Sequence, residues 1–297
     1  MTHNEPFKSG YIAIIGQPNV GKSTLLNKII GETVAIVTAK PQTTRNRIIG
    51  ILNRPTAQMI FVDTPGYHSI PQPLHQFMLN EIEQTIQDSN LFCFLVDPNS
   101  RQPDLDDQLM ERLCYTRAPV VVINKADTLD AKERETIALD FRERWKLKEL
   151  FFISALTGDG VEELVSNFEK SLPEGPALFA DDIYTELTVR FLAGEAIREQ
   201  AMELLHQEIP YGVAVEILAF EEKPKITVIQ ANLVVERPSH KSMVIGKGGQ
   251  MIKKIGTRAR EKIEFLMQGQ KVFLELFVKI DEDWTRSAEK LRQYGYG

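Results

Sequence analysis

The chain has 297 residues, 43% of them apolar and 26% charged, and a net charge of −6. That length has room for two domains, the composition is that of a globular chain, and no apolar run approaches the ~18 residues of a membrane-spanning helix. Cys93 and Cys114 lie in or beside apolar segments and outside any C-x-x-C pattern, so they read as reduced thiols of a cytosolic protein, not as a disulfide or metal site; Met1–Glu5 carries no signal-peptide pattern.

The first apolar run, 11–15, reads as a buried strand. It runs into Gly16-Gln17-Pro18-Asn19-Val20-Gly21-Lys22-Ser23, a G-x-x-x-x-G-K-S loop, and then a helix over 22–30. Strand, Gly-rich loop and helix is the geometry that cradles nucleotide phosphates. The glycines let backbone N–H groups converge on one anion, and the helix adds its positive end. Lys22 is placed on the β- and γ-phosphates, and the Ser23 hydroxyl completes a Mg²⁺ site with phosphate oxygens and water. Strands at 48–53 and 58–62 follow, the second ending in Asp63-Thr64-Pro65-Gly66. An acid there can hold Mg²⁺ through water, and the Gly66 N–H can approach a γ-phosphate.

A helix at 74–87, a strand at 91–96 and a helix at 104–115 lead to a strand at 119–123. That strand ends in Asn124-Lys125-Ala126-Asp127. Asp127 can accept from guanine N1–H and the exocyclic N2 amine; adenine has no such donor pair and leaves the carboxylate unpaired. Asn124 and the stem of Lys125 brace loop and base. After a helix at 131–146, the strand 150–153 ends in Ser154-Ala155, whose backbone N–H groups can reach guanine O6. A helix at 160–171 closes this part. Each motif falls at the carboxyl end of a strand in an alternating β/α order, which points to a mainly parallel sheet with helices on both faces and a ligand at the strand ends.

Leu172-Pro173-Glu174-Gly175-Pro176 breaks the helix and begins a linker. Beyond it come a helix from Tyr184 to Leu205, strands at 213–220 and 226–235, and Val244-Ile245-Gly246-Lys247-Gly248-Gly249. A helix with Met251, Ile252, Ile255, Ala259, Ile263 and Leu266 on one face and a strand at 271–280 complete the chain. Residues 1–185 hold 18 basic against 25 acidic residues, whereas 237–262 hold eight basic residues and only Glu261 against them. That patch is a footprint for a polyanion or a solvated helix face. The order α-β-β-α-β with Gly-x-x-Gly before a helix resembles a KH domain of the bacterial, type II kind, whose loop clamps single-stranded nucleic acid. Ile245, Gly246, Lys247, Gly248, Gly249, Lys253, Lys254 and Arg258 are the expected RNA-binding residues.

The four nucleotide motifs resemble those of the translation-factor-related GTPases, and with the C-terminal part the whole chain resembles the Era family of bacterial GTPases. The resemblance implies a P-loop GTPase domain over 1–172, a linker over 173–185 and a KH domain over 186–297. It implies a GTP-hydrolysing switch that takes the 3′ tail of 16S rRNA during maturation of the 30S subunit. The implied setting is a cytoplasmic protein, by default a monomer, with peripheral contact to the inner face of the cell membrane left open through the 237–262 patch. By the same resemblance Thr44, with Thr43 as runner-up, is the switch threonine that ligates Mg²⁺ and senses the γ-phosphate. The expected catalytic set is Lys22, Thr44, Gly66 and Asn19. Tyr67 stands where many small GTPases carry a water-orienting Gln, so another group or ion must place the water. Related GTPases with Asn at the position of Asn19 bind K⁺ beside the phosphates; the alternative is that Asn19 only stabilises the turn, and Arg45 as a finger in cis is a further one. Two rival readings are a non-catalytic RNA-binding scaffold and a membrane-associated signalling GTPase.

Overall fold

The computed structural model describes residues 6–38, 40, 43–66, 73–99, 102–113, 119–147, 149–206 and 209–296. Tyr67, His68 and Cys114 lie outside the described residues. The chain divides into two compact units. The first takes in residues 1–35, 44–69 and 78–186; the second takes in 36–43, 70–77 and 187–297.

In the first unit, six strands form one sheet in the order β2-β3-β1-β4-β5-β6. They are β1 (Lys8–Gly16), β2 (Ile48–Asn53), β3 (Ala57–Asp63), β4 (Leu91–Val96), β5 (Val120–Ile123) and β6 (Phe151–Phe152). Only β2 runs antiparallel; the other neighbours are parallel. β3 is buried along its whole length, as a strand covered on both faces must be. On one face, Ala13, Ile15, Phe94 and Val121 pack with residues of α2 (Pro73–Asp88), α3 (Pro103–Leu113) and α4 (Ala131–Trp145). On the other, Phe61 meets Phe168 of α5 (Val161–Ser171) edge to face. A Cβ on Gly50 would strike Leu26 and Ile30 of α1 (Lys22–Ile30).

In place of a separate linker, residues 173–185 are bound to this unit. Ser9 N–H donates to the Pro173 carbonyl, and Gly175 N–H to that of Phe7. The Gln58 carboxamide, fully buried, accepts from Leu178 and Phe179 N–H at 2.6 and 2.9 Å and donates to Phe179 C=O at 2.8 Å. Pro and Gly stop a helix, but they do not reveal whether the chain beyond finds a sheet edge for its backbone groups. The helix expected from Tyr184 also starts later. The Tyr184 carbonyl accepts from Ile51 N–H, and Thr185 donates to the Ile49 carbonyl. α6 therefore runs Val189–Leu204, capped by Thr188, whose hydroxyl accepts from Phe191 N–H.

The second unit has a three-stranded sheet, β7 (Ala214–Glu222), β8 (Thr227–Val235) and β9 (Val272–Ile280). β7 pairs antiparallel to β8, and β9 parallel. Ala193, Ile197, Ile229, Leu233, Ile255 and Ile263 form its core, placing α6 and α8 (Gln250–Leu266) on one face of the sheet. The expected α-β-β-α-β order gains a helix, α7 (Pro238–Ile245), ahead of the Gly-rich loop. Only Val244 of α7 is fully buried, so the sequence shows no apolar stripe there; Pro238 at the first helical position was the available signal. A short α9 (Ala288–Gln293) follows β9. Among the described residues, no helix is long and apolar enough to cross a membrane.

Candidate nucleotide site and nucleic-acid cleft

The phosphate loop joins β1 to α1 at the carboxyl edge of the sheet. Gly21 holds φ +100°, and a Cβ there would lie 2.2 Å from the Asn124 amide nitrogen, so both backbone and space require glycine. Lys22 is 6% exposed, and its ammonium donates to the carbonyls of Gly16 and Gln17 at 3.1 and 2.9 Å. Burial pushes its pKa down to about 8, opposed by the charge of Asp63.

Three side chains from separate segments converge beside it. Ser23 Oγ donates to Asp63 Oδ2 at 2.5 Å and lies 2.9 Å from Thr44 Oγ1, which in turn donates to Asp63 at 3.3 Å. Burial raises the Asp63 pKa to about 6 against the pull of Lys22 and the two hydroxyls. Asp63 Oδ1 is buried and has no hydrogen-bond partner. An orphaned carboxylate oxygen beside two hydroxyls fits a hard divalent cation that keeps waters and phosphate oxygens in its shell. Thr43 faces elsewhere: its hydroxyl donates to the Lys40 carbonyl at 2.7 Å and shares a 2.7 Å bond with Thr38. Of the two switch threonines, the structure brings Thr44 to the site. Gly66 approaches the loop so closely that a Cβ would sit 2.8 Å from Pro18 Cα, and Thr64 donates to the Ile14 carbonyl at 2.8 Å.

The base-recognition residues are tied to the same loop. Asn124 donates to the Val20 carbonyl at 2.7 Å and accepts from Ala155 N–H at 2.9 Å, joining three of the motifs through one carboxamide. Asp127 is exposed. Ser154 is buried and its hydroxyl accepts from Thr157 N–H at 3.1 Å. Lys125, at φ 57°, forms an ion pair with Asp97 at the end of β4. Asp97 belongs to none of the nucleotide motifs; its signal in the sequence is an acid closing an apolar strand. Arg45, the alternative finger, is 1% exposed, and Asn19 turns the loop at φ 62°.

In the second unit, α7, the Gly-rich loop and α8 stand beside β9. Gly246, Gly248 and Gly249 all have positive φ, and a Cβ on Gly248 or Gly249 would meet nothing within 4 Å. Those two glycines are thus a requirement of the backbone, and the space before them is open to a phosphate. A cleft of about 440 Å³ lies between α8 and β9. Lys253, Gly256, Thr257 and Arg260 line one wall, Phe273 and Glu275 the other, over a floor that includes Ile252 and Leu274. Lys247, Lys253 and Lys254 are exposed and Ile245 is half-buried. Arg258 is not on the cleft; it lies 3.8 Å from Glu203 of α6. Arg260, Thr257 and Phe273, outside the expected RNA-binding set, line the cleft, because which turn of an amphipathic helix faces the neighbouring strand depends on packing.

The 50S ribosome-binding GTPase family matches residues 11–125, and the KH domain family matches 208–285. Among curated proteins, the GTPase Era of Geobacter metallireducens (strain ATCC 53774 / DSM 7210 / GS-15) is 45% identical over 297 residues, covering 99% of each chain. That of Syntrophus aciditrophicus (strain SB) is 45% identical, covering 98% of this chain and 95% of the relative. Among solved structures, Era in complex with MgGDPNP and nucleotides 1506–1542 of 16S ribosomal RNA superposes with a TM-score of 0.94 at 39% identity, over 98% of this chain and 99% of that one. A variant of Aquifex aeolicus Era bound to GDP·AlF4⁻ gives 0.93 at 39% identity, over 98% and 100%. A two-unit chain with a complete set of guanine-nucleotide motifs and a Gly-rich loop beside an α/β cleft, similar to these relatives along nearly its whole length, belongs to the Era family of GTPases.

Proposed function

We propose that this protein is a GTP-hydrolysing switch whose second unit binds the single-stranded 3′ region of 16S rRNA and that it acts in maturation of the 30S subunit. The observation that carries the reading is the meeting of Ser23, Thr44 and Asp63. Thr44 belongs to the loop ahead of β2, so its place in this cluster ties that loop to whatever occupies the metal and γ-phosphate positions. Ser23 and Thr44 ligate Mg²⁺ directly and Asp63 does so through water. When bound there, the ion would neutralise negative charge on the phosphate oxygens. Lys22 leaves the Gly16 and Gln17 carbonyls for the β- and γ-phosphates, and the Gly66 N–H turns toward the γ-phosphate. Asp127 selects guanine, while Asn124 holds the base loop to the phosphate loop. Asn19 would hold K⁺ beside the phosphates, where the cation would supply the positive charge of an arginine finger.

RNA lies in the cleft between α8 and β9. Its phosphates meet the N–H groups of Gly246–Gly249 and Lys247, and its bases meet the apolar floor and Phe273. The relative crystallised with MgGDPNP and nucleotides 1506–1542 of 16S ribosomal RNA supports 16S rRNA as the ligand. The test is a fluorescence titration of a labelled 16S 3′-tail oligonucleotide at fixed salt, with a non-hydrolysable GTP analogue, with GDP and with neither. Tight binding with the analogue alone is the expected result; equal binding in all three states leaves an RNA-binding GTPase without a switch. Turnover in K⁺ should exceed turnover in Na⁺, and equal rates would remove Asn19 from the cation role. A cytoplasmic monomer completes the proposal. Contact of the 237–262 patch with the membrane face would show as co-sedimentation with anionic vesicles.

A further inference from the structure

Gln17 occupies a position of the G-x-x-x-x-G-K-S motif whose side chain the motif leaves open. That side chain is nonetheless buried, at 5% exposure. Its Nε2 donates to Asp106 Oδ1 at 2.6 Å and to the Gln102 carbonyl at 3.2 Å. Asp106 is 1% exposed in the first turn of α3, and its own N–H donates to the same Gln102 carbonyl at 3.0 Å. One carboxamide is therefore held by the start of a helix that carries none of the nucleotide motifs. On its backbone side, Gln17 presents the carbonyl that receives the Lys22 ammonium. The residue is fixed at both ends, by α3 through its side chain and by the phosphate lysine through its main chain.

We propose that Asp106 is a positioning residue of the nucleotide site, acting through Gln17 to hold the phosphate loop in the form that receives phosphates. The inference rests on residues 16–23 being that loop. A carboxylate accepting from an amide in a water-excluded place makes a strong, directional bond. Backbone N–H groups bind an anion best when they are already aimed, because no ordering is then left to the moment of binding. With the brace gone, the loop samples other arrangements, Lys22 loses a fixed resting carbonyl, and bound nucleotide leaves sooner. Asp106 touches no phosphate itself.

The test uses the full chain and the dissociation of fluorescently labelled GDP. Asp106→Ala removes the acceptor and should speed dissociation by about tenfold, the lower end of what supporting partners contribute at a binding site. Gln17→Glu sets two carboxylates face to face and should do at least as much. Combining Gln17→Glu with Asp106→Asn restores the amide–carboxylate bond, though not the bond to the Gln102 carbonyl, and should slow dissociation at least about threefold relative to Gln17→Glu alone. In steady state the single variants should raise KM more than they lower kcat. Dissociation unchanged in both single variants overturns the brace. So does a double variant that melts like the unaltered protein yet releases GDP as fast as Gln17→Glu alone. If the unaltered chain bound no GDP, the phosphate-loop reading would fall and the brace with it.

Discussion

In the first unit, the groups that meet the nucleotide already hold one another. Ser23, Thr44 and Asp63 share hydrogen bonds, Lys22 rests on loop carbonyls, and Asn124 ties the base loop to the phosphate loop. In the second unit, Lys253, Thr257, Arg260 and Phe273 are exposed along the cleft, most of its other lining is half-buried, and the neighbouring loop carries three glycines at positive φ. The contrast follows from the ligands. A nucleotide brings concentrated charge to one buried point, so the groups of its site must be dry and aimed beforehand. A single strand of RNA brings phosphates and bases spread along a surface, so its site needs an open groove, mobile cations and apolar shelf. One site is specified by mutual contacts, the other by shape and charge left free.

The contrast predicts that substitutions in the first site have large and specific effects. Asp127→Asn replaces an acceptor pair with an amide, which should erase guanine preference by roughly 10⁴-fold and favour xanthine, whose C2 carbonyl accepts; competition between labelled GDP and XDP measures it. Thr44→Ala should remove the difference between GTP-analogue and GDP states in RNA titrations while GDP affinity stays within about threefold. Wide GDP loss in that variant would show that Thr44 supports the fold of the site and not its switching.

In the second site, Gly248→Asp should weaken RNA binding by roughly 10- to 100-fold through strained φ and repelled phosphate, with GTP turnover in the absence of RNA unchanged. Smaller again, Arg260→Ala should cost about 1 kcal/mol of RNA affinity, roughly fivefold, and Arg258→Ala almost none, since of the two arginines Arg260 lines the cleft. Equal losses would mean that the charge patch acts as a whole and the cleft has no privileged wall. The smallest effect concerns pH. Lys22 titrates at about 8 instead of 10.5, so its contribution to stability is present above the unfolded value and is lost as pH falls through about 8. The nucleotide-free protein should gain thermal stability as pH rises from about 8 toward 10.5, and Lys22→Met should flatten that gain in a series of melting curves.

The nucleotide site was legible because its chemistry is written in short, contiguous strings, each closing a strand. Gly21, Lys22 and Asp127 fall where the motifs put them, for a loop, its helix and a strand end are local structures with local signals. The partners of those strings were not legible. Gln17 meets Asp106 and Lys125 meets Asp97 across gaps that no spacing rule spans. In the second unit the Gly-rich loop is legible in the sequence and α7 is not, and which of Arg258 and Arg260 lines the cleft depends on packing.

Composition and motif order were sufficient to fix an α/β guanine-nucleotide unit followed by a smaller RNA-binding one, since a chain must satisfy its periodicity and turn chemistry wherever it lies. Where one unit ends was decided by packing. Residues 173–185 look like a linker by their Pro and Gly, yet Gln58 and the edge of β2 bind them into the first unit, while 36–38 and 73–77, distant in sequence from α6, belong to the second. Such memberships depend on which unpaired backbone and side-chain groups come within reach after the sheet has formed, and that is a property of the folded surface and not of any stretch of sequence.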